Sequence, residues 1–215
     1  MQTRSIRETR FAAIDFESAG ASAGQTDIPI QIGIAVMENG VISETSFFRS
    51  YLHAGTPVVW NAQRVHGIKS EDLKGAPTLL SLWPEIRDRL SGSWTVAHSA
   101  GTEKRFLRIF PFHGFGPWAD TLPITRALFP ELNAYNLSSL AGHFGLEEKI
   151  RGHCPDFQWH DALFDAVGSL ALLQHLFETA NLWDESAEVL TSPTLDAYYR
   201  NQAKKKLTRK SPGLL

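Results

Sequence analysis

Two carboxylates stand one residue apart at the end of an apolar run, in Asp15-Phe16-Glu17. Side chains alternate between the two faces of a strand, so Asp15 and Glu17 point the same way, about 6–7 Å apart along the strand. Neighbouring anions at the end of a buried strand repel each other and lose hydration, a cost that a cation between them offsets. The pattern indicates either a solvated strand end or a site for Mg²⁺ or Mn²⁺.

Acidic and imidazole side chains recur in two later stretches, each at the start of a predicted helix. Glu103 falls in the first turn of a helix that follows a strand, a position that faces the mouth of an α/β sheet. The alternative is that Glu103 only complements the helix dipole, as a glutamate near a helix start commonly does. His160 directly precedes another helix, and Asp165 lies one turn inside it on an otherwise apolar surface. Taken singly, Asp165 is either exposed or functional, and His160 reads as a surface histidine.

The elements that must position these residues predict an α/β domain. Residues 11–17, 30–37 and 41–51 read as strands, and Asn39-Gly40 between the last two is a strong hairpin signal. Downstream, helices and strands alternate: a helix from 82 to 90, a strand over 94–98, a helix over 102–110 with Thr102 as N-cap, a strand over 118–122, a helix over 138–144, and an apolar helix over 162–177 capped by Asp161. A meander followed by this alternation predicts a mixed sheet flanked by helices.

The whole chain has the composition of an ordinary soluble protein. Its 215 residues, 43% hydrophobic and 20% charged, suit one domain, taken as residues 1–180, with a helical and basic C-terminal extension over 181–215. The net charge of −2 argues against gripping long duplexes by charge alone. The basic run Lys204-Lys205-Lys206 is either a solvated tail or a contact to a nucleic-acid backbone.

Cysteine content and hydropathy narrow the classes further. The single cysteine, Cys154, excludes an internal disulfide and a cysteine-rich zinc site, and it reads as an incidental thiol. Residues 1–10 lack an apolar signal core, and no apolar run reaches membrane-spanning length. We therefore expect a cytoplasmic protein with no membrane partner.

Read in order, these motifs resemble those of a known family. Asp15-x-Glu17, then Val-Ala-His98-Ser-Ala-x-x-Glu103, then His160-x-Ala-Leu-x-Asp165 are similar to the three exonuclease motifs of the DnaQ-like superfamily, DEDDh type. The four residues between His160 and Asp165 match the spacing of its histidine branch. Supporting stretches are Val65-His66-Gly67-Ile68, Asp120-Thr121-Leu122 and Asn136-Leu137-Ser138-Ser139-Leu140, and the resemblance covers about residues 10–178.

The resemblance implies a ribonuclease-H-like fold and metal-dependent removal of nucleotides from a 3′ end. Carried over by position, Asp15, Glu17 and Asp165 are metal ligands for two Mg²⁺ or Mn²⁺ ions, and His160 is the general base. Two divalent ions would neutralise the four clustered carboxylates and clamp the attacking and leaving oxygens. The expected products are nucleoside 5′-monophosphates from single-stranded DNA or RNA.

The second motif departs from the family pattern. The family normally has aspartate at the position of Glu103, and asparagine and phenylalanine at Ser99 and Thr102. Glutamate keeps the charge and adds about 1.5 Å of reach, so Glu103 holds a metal either directly or through water, which Mg²⁺ readily retains. We expect activity, with an altered metal preference or a lower rate.

Contacts to the terminal nucleotide are expected from four residues around the carboxylates: Phe16, Ser18, His66 and Ser99. For Phe16, core packing is the alternative. The small-residue loop over 18–24 is either a flexible connector or a backbone that lets a nucleotide come close.

Two other functions remain open. One is a non-catalytic nucleic-acid-binding module of the same fold. The other is a proofreading subunit that serves a DNA polymerase, which the absence of a long partner-binding region after about residue 180 makes the weaker alternative. The sequence leaves open DNA or RNA as substrate and whether the chain forms a homo-oligomer.

Overall fold

A computed structural model describes residues 4–21 and 26–191, and its centre is a five-stranded sheet in the order β3-β2-β1-β4-β5. The strands are β1 Phe11–Ser18, β2 Pro29–Glu38, β3 Val41–Tyr51, β4 Trp94–Ala97 and β5 Trp118–Asp120. β1, β2 and β3 pair antiparallel, whereas β4 runs parallel to β1 and β5 runs parallel to β4. The prediction of a mixed sheet that begins with an antiparallel meander is confirmed.

The turn between β2 and β3 forms at Asn39-Gly40, as predicted. Asn39 has φ 50° and Gly40 has φ 75°, the two consecutive left-handed residues that a tight hairpin turn requires. The antiparallel register continues from this turn to Gln31 opposite Tyr51.

Seven helices join or cover the strands in the described part of the chain. They are α1 Trp60–His66, α2 Trp83–Leu90, α3 Gly101–Leu107, α4 Thr121–Leu128, α5 Leu137–His143, α6 Glu147–His153 and α7 Ala162–Ala180, with 3₁₀ turns at Ser70–Leu73, Leu80–Leu82 and Ala187–Leu190. Helices α1, α4 and α6 were not predicted, since each is only seven or eight residues long, too short for a clear periodic signal.

Two predicted boundaries are wrong. Thr102 is not the N-cap of α3, because the helix already includes Gly101 and Ala100 takes the capping position. The strand expected over 118–122 ends at Asp120, whose carboxylate accepts from the backbone N–H of Leu122 and so begins α4.

Helix α7 fills one face of the sheet. Its 19 residues are apolar on nearly every side because β1 and β2 cover one side and α4, α5 and α6 pack on the others. Asp161 caps it, as predicted, by accepting from the N–H of Leu163 at 3.1 Å. The opposite face of the sheet packs on α2 and α3 through a second apolar cluster that includes Ile14, Phe16 and Phe106.

The described part of the proposed C-terminal extension packs against the N-terminus. Ile6 and Arg7 donate backbone hydrogen bonds to Glu185 and Trp183, and Leu182 and Leu190 are buried beside α7. Residues 192–215, including the basic run at 204–206, lie outside the described residues. Among the described helices, none combines the length and the apolar character needed to cross a membrane.

Candidate active site

Strand β1 carries Asp15 and Glu17 on the face that α7 covers. Ile14, which precedes Asp15, and Phe16, which lies between the two acids, point to the other face and are buried against α2 and α3. Phe16 packs edge-on against Phe106 of α3, with ring centroids 5.4 Å apart. Phe16 therefore lies in the core rather than among the carboxylates, and it fixes α3 to the strand that holds them.

Gly33 lets α7 approach the sheet closely enough to add its own carboxylate. Gly33 pairs with Asp15 in the β1–β2 register, and a Cβ placed on it would lie 2.1 Å from the carbonyl carbon of Ala162. The first turn of α7 thus rests directly on the backbone of β2, beside Asp15. Sequence reasoning missed this position, although a glycine inside an apolar strand is a recognised signal of close backbone approach.

Asp165 and His160 meet Glu17 at this contact. Ligand-type atoms of Glu17, His160 and Asp165 all lie within 4.8 Å of one another, which is close enough for a shared cation. His160 is exposed and has φ 68°, a left-handed backbone that turns the chain sharply into α7. Its ring therefore stands at the solvent side of the cluster, where it can exchange a proton with water.

A buried polar network fixes the backbone next to His160. The Asp161 carboxylate accepts from the Nε of Arg49 at 2.7 Å and from the side-chain amide of Gln31 at 3.0 Å. The amide oxygen of Gln31 in turn accepts from the N–H of Ala162 at 2.8 Å. Neither Arg49 nor Gln31 was singled out in the sequence, because both belong to strands far along the chain from their partner.

Glu103 comes from α3 and repels the carboxylates of Asp15 and Glu17, and Asp120 holds the turn that precedes it. The backbone N–H groups of Ser99 and Ala100 each donate to the Asp120 carboxylate at 2.9 Å, and Ser99 has φ 68°. Ser99 contributes its backbone to this turn, with its side chain exposed. Glu103, by contrast, is only 4% exposed.

All four carboxylates have pKa values raised above their ordinary range. Burial, followed by repulsion from Asp165, raises the pKa of Asp15 well above normal. The same two causes raise the pKa of Glu17 to about 8. Burial is also the main cause for Glu103 and Asp165, each with a pKa raised to about 7; a backbone hydrogen bond partly offsets it for Glu103, and the backbone amide of His160 does so for Asp165.

The donor set fits divalent cations. Oε2 of Glu103 and Oδ1 of Asp165 are buried without a hydrogen-bond partner. An unpartnered buried carboxylate oxygen is costly, and a cation with oxygen ligands relieves that cost. Of the four predicted ligands, Glu17 and Asp165 belong with His160 to the group whose ligand atoms lie within 4.8 Å of one another, whereas Asp15 and Glu103 lie outside that group and repel its carboxylates electrostatically.

Two of the histidines outside the cluster, His66 and His98, make hydrogen bonds that support its surroundings. His66 accepts from the N–H of Ile68 through Nδ1 at 3.0 Å, so Nε2 carries the proton that it donates to the Ser18 carbonyl at 3.1 Å. His98 contacts the Thr121 hydroxyl and the Tyr135 carbonyl at 2.8 and 2.6 Å. Because both ring nitrogens of His66 are engaged, it can meet a nucleotide only through its ring face or edge.

Cys154 takes no part in this chemistry. It is buried, and burial is the main cause that raises the pKa of its thiol to about 11. A thiol that stays protonated is a poor nucleophile.

Comparison with known proteins agrees with the motifs. The family model described as Exonuclease (RNase_T) matches residues 12–173. The chain is 30% identical over 146 residues to the DNA polymerase III PolC-type of Streptococcus thermophilus, a match covering 66% of this chain and 10% of that protein. It is 26% identical over 142 residues to the DNA polymerase III subunit epsilon of Aquifex aeolicus, covering 64% of this chain and 69% of that one.

Solved structures agree on the fold. Exonuclease X in complex with 5′ overhanging duplex DNA superposes with a TM-score of 0.68 at 23% sequence identity, over 84% of this chain and 99% of that one. The ribonuclease-H-like α/β architecture expected from the motifs is confirmed. The polymerases matched above are much longer, since this chain spans about a tenth of the PolC-type proteins.

Proposed function

This chain belongs to the exonuclease family of the DnaQ-like DEDDh superfamily, and we propose that it is a metal-dependent 3′→5′ exonuclease acting on single-stranded DNA or RNA. The observation that carries the proposal is the meeting of Glu17, Asp165 and His160 within 4.8 Å, with buried unpartnered oxygens on Asp165 and Glu103. A binding module without chemistry has no need to keep repelling carboxylates together.

Asp15, Glu17, Glu103 and Asp165 would hold two Mg²⁺ or Mn²⁺ ions. When bound, such a pair of ions supplies Lewis-acid stabilisation of the charge that develops on the phosphate oxygens. The carboxylates themselves fix where that charge can be accommodated, at the ends of β1 and at the starts of α3 and α7. Their raised pKa values mean that the cations must also compete with protons.

His160 acts as the general base. It takes a proton from the water whose oxygen bonds to the terminal phosphorus, while the bond from phosphorus to the 3′ oxygen of the preceding nucleotide breaks. That leaving oxygen gains a proton from solvent, and the products are a nucleoside 5′-monophosphate and a strand one nucleotide shorter. The exposed position of the ring lets it return its proton to water after each cycle.

A second candidate is the same activity in the service of a polymerase. The similarity to a polymerase III epsilon subunit favours it. Copurification of the chain with a DNA polymerase, and stimulation of exonuclease activity in the complex, would support this role. Full exonuclease activity without any association with a polymerase would support an independent exonuclease instead.

The direct test uses 3′-labelled and 5′-labelled single-stranded oligonucleotides, as matched DNA and RNA, with Mg²⁺ or Mn²⁺. We expect labelled mononucleotides from the 3′ end and a ladder shortening from that end. Asp15→Asn and His160→Ala should lower the rate by roughly 100-fold or more. The control is His143→Ala, which removes an exposed histidine on α5.

The proposal fails if wild type releases no mononucleotide with either metal, or if Asp15→Asn and His160→Ala match wild type. Comparison of DNA with RNA on the same gel assigns the sugar preference, which depends on contacts to the 2′-hydroxyl.

A further inference from the structure

Helix α1 presents large apolar side chains to solvent. Trp60 is 65% exposed and Val65 is 56% exposed, and none of the seven residues of the helix is buried. Single exposed apolar residues are normal on a protein surface, but an exposed tryptophan is a residue type concentrated in binding sites. Val65 lies on a different side of the helix, whereas Trp60 shares its exposed face with Arg64, four residues later.

Contacts to the strand that carries Asp15 and Glu17 fix the position of α1. Val59 donates to the carbonyl of Ala19 at 2.8 Å at one end of the helix, and His66 donates to the carbonyl of Ser18 at the other. Ser18 and Ala19 directly follow Glu17 in the chain. Helix α1 is thus anchored at both ends to the backbone that directly follows Glu17.

The charge of this face is opposite to that of the cluster. α1 contains no Asp or Glu, and it carries Arg64, whose guanidinium lies 4.7 Å from the centroid of the Trp60 ring. None of the ion pairs found among residues 4–21 and 26–191 involves Arg64. A nucleic-acid strand repelled by four carboxylates needs cationic contacts further along its backbone, and Arg64 offers one.

We propose that Trp60 and Arg64 form a binding site for the strand upstream of its 3′-terminal nucleotide, with Trp60 stacking on a base and Arg64 contacting a phosphate. This inference rests on the proposed function, since it assumes that the 3′ end enters the carboxylate cluster. Stacking on aromatic side chains binds every base and suits a site without sequence preference.

The C-terminal end of α1 lies at the proposed active site, because His66 lines the same cavity as His160. Trp60 lies six residues before His66, about 9 Å away along the helix axis at 1.5 Å per residue. This offset leaves Trp60 for a part of the strand other than the nucleotide being removed.

The test compares two substrates in Trp60→Ala. One is a single-stranded oligonucleotide, and the other is the p-nitrophenyl ester of a nucleoside 5′-monophosphate, which has no upstream strand. We expect the ratio of oligonucleotide KM to ester KM to rise by roughly 10-fold, the effect typical of losing one stacked base. Trp60→Phe should restore most of the loss, because it keeps an aromatic ring.

Arg64→Ala should weaken oligonucleotide binding and reduce its dependence on salt. The slope of log affinity against log salt should fall by about 0.7, the contribution of one phosphate contact on a single strand. The control for Trp60→Ala is Phe112→Ala, which removes a fully exposed aromatic ring outside α1.

Three outcomes would contradict either the Trp60–Arg64 binding site or the proposed function. If Trp60→Ala behaves as Phe112→Ala does, or if it raises both KM values equally, the inference is overturned. If wild type hydrolyses neither substrate, the proposed function fails, and fluorescence anisotropy of a labelled oligonucleotide then decides the α1 site alone. Equal anisotropy affinities for wild type, Trp60→Ala and Arg64→Ala would reject it.

Discussion

Glu103 is the predicted metal ligand at which this chain differs from the family pattern. Its side chain is longer than the usual aspartate by one methylene, and it is buried with Oε2 unpartnered. Asp120, which holds the preceding turn, also raises its pKa. Burial with one carboxylate oxygen unpartnered favours a direct or water-mediated role at a cation over a role in the helix dipole.

We expect Glu103→Gln, which keeps the shape and removes the charge, to lower metal affinity and kcat by roughly 10- to 100-fold. Glu103→Asp should retain much more activity because it restores the side chain usual in the family. The measurement is a metal titration of the initial exonuclease rate. Glu147→Gln, an exposed acid in the first turn of α6, serves as control, and equal rates for Glu103→Gln and this control would exclude a metal role.

The sequence identified the residues proposed for the chemistry, but not the contacts that hold them in place. Order and spacing singled out Glu17, His160 and Asp165, which the fold brings together. The Arg49–Asp161 ion pair could not be predicted from the sequence, because it joins residues 112 positions apart and no local pattern encodes such a partner. The left-handed backbone of His160 was equally invisible, since non-glycine residues adopt it only when tertiary contacts impose it.

At the level of elements, strands were predicted more accurately than short helices. The hairpin at Asn39-Gly40 and the capped helix α7 have strong local signals, and both formed as expected. Helices α1, α4 and α6 are too short to be stable by local propensity alone, so a single sequence carries only a weak signal for them. Helix α1 carries Trp60 and Arg64, the site proposed for the nucleic-acid strand.

The approach of α7 to β2 should be sensitive to a single methyl group. In Gly33→Ala the new Cβ meets the backbone of Ala162 at 2.1 Å, so the first turn of α7 must move and Asp165 must withdraw from Asp15. We expect a loss of roughly 1–3 kcal/mol in unfolding free energy together with a large loss of activity. Urea unfolding and the exonuclease rate measure the two effects.

Gly152→Ala provides the matched control for this substitution. Gly152 lies in α6, where an added Cβ would meet nothing within 4 Å. Alanine there should be neutral or stabilising by about 1 kcal/mol. Similar behaviour of the two variants would mean that the close contact at Gly33 is not what holds Asp165 in place.

At the scale of the whole molecule, concentrated negative charge makes stability depend on pH. Acids whose folded pKa is raised above the unfolded value bind more protons in the native state between those two values, so stability falls as pH rises through that window. For Glu17 the window runs from its ordinary value of 4.5 to about 8, and for Glu103 it runs from 4.5 to about 7.

We therefore expect the Tm of the metal-free protein to fall between pH 5 and pH 8 by several degrees. Mn²⁺ should restore it, more at pH 8 than at pH 5, because the cation replaces the protons. Calorimetry with and without chelator measures this. Asp15→Asn should flatten the pH profile by removing one charge from the cluster, and a profile as steep as that of wild type would contradict this origin.

The carboxylates come from opposite ends of the domain, Asp15 on the first strand and Asp165 on the last long helix. In the unfolded chain these ligands are far apart, and bringing them together requires closing a very long loop. A cation held between them would bind the native state and not the unfolded chain, and so would stabilise the fold. Such an ion would mainly slow unfolding and leave the folding rate nearly unchanged, so the lifetime of the folded chain would follow the metal supply.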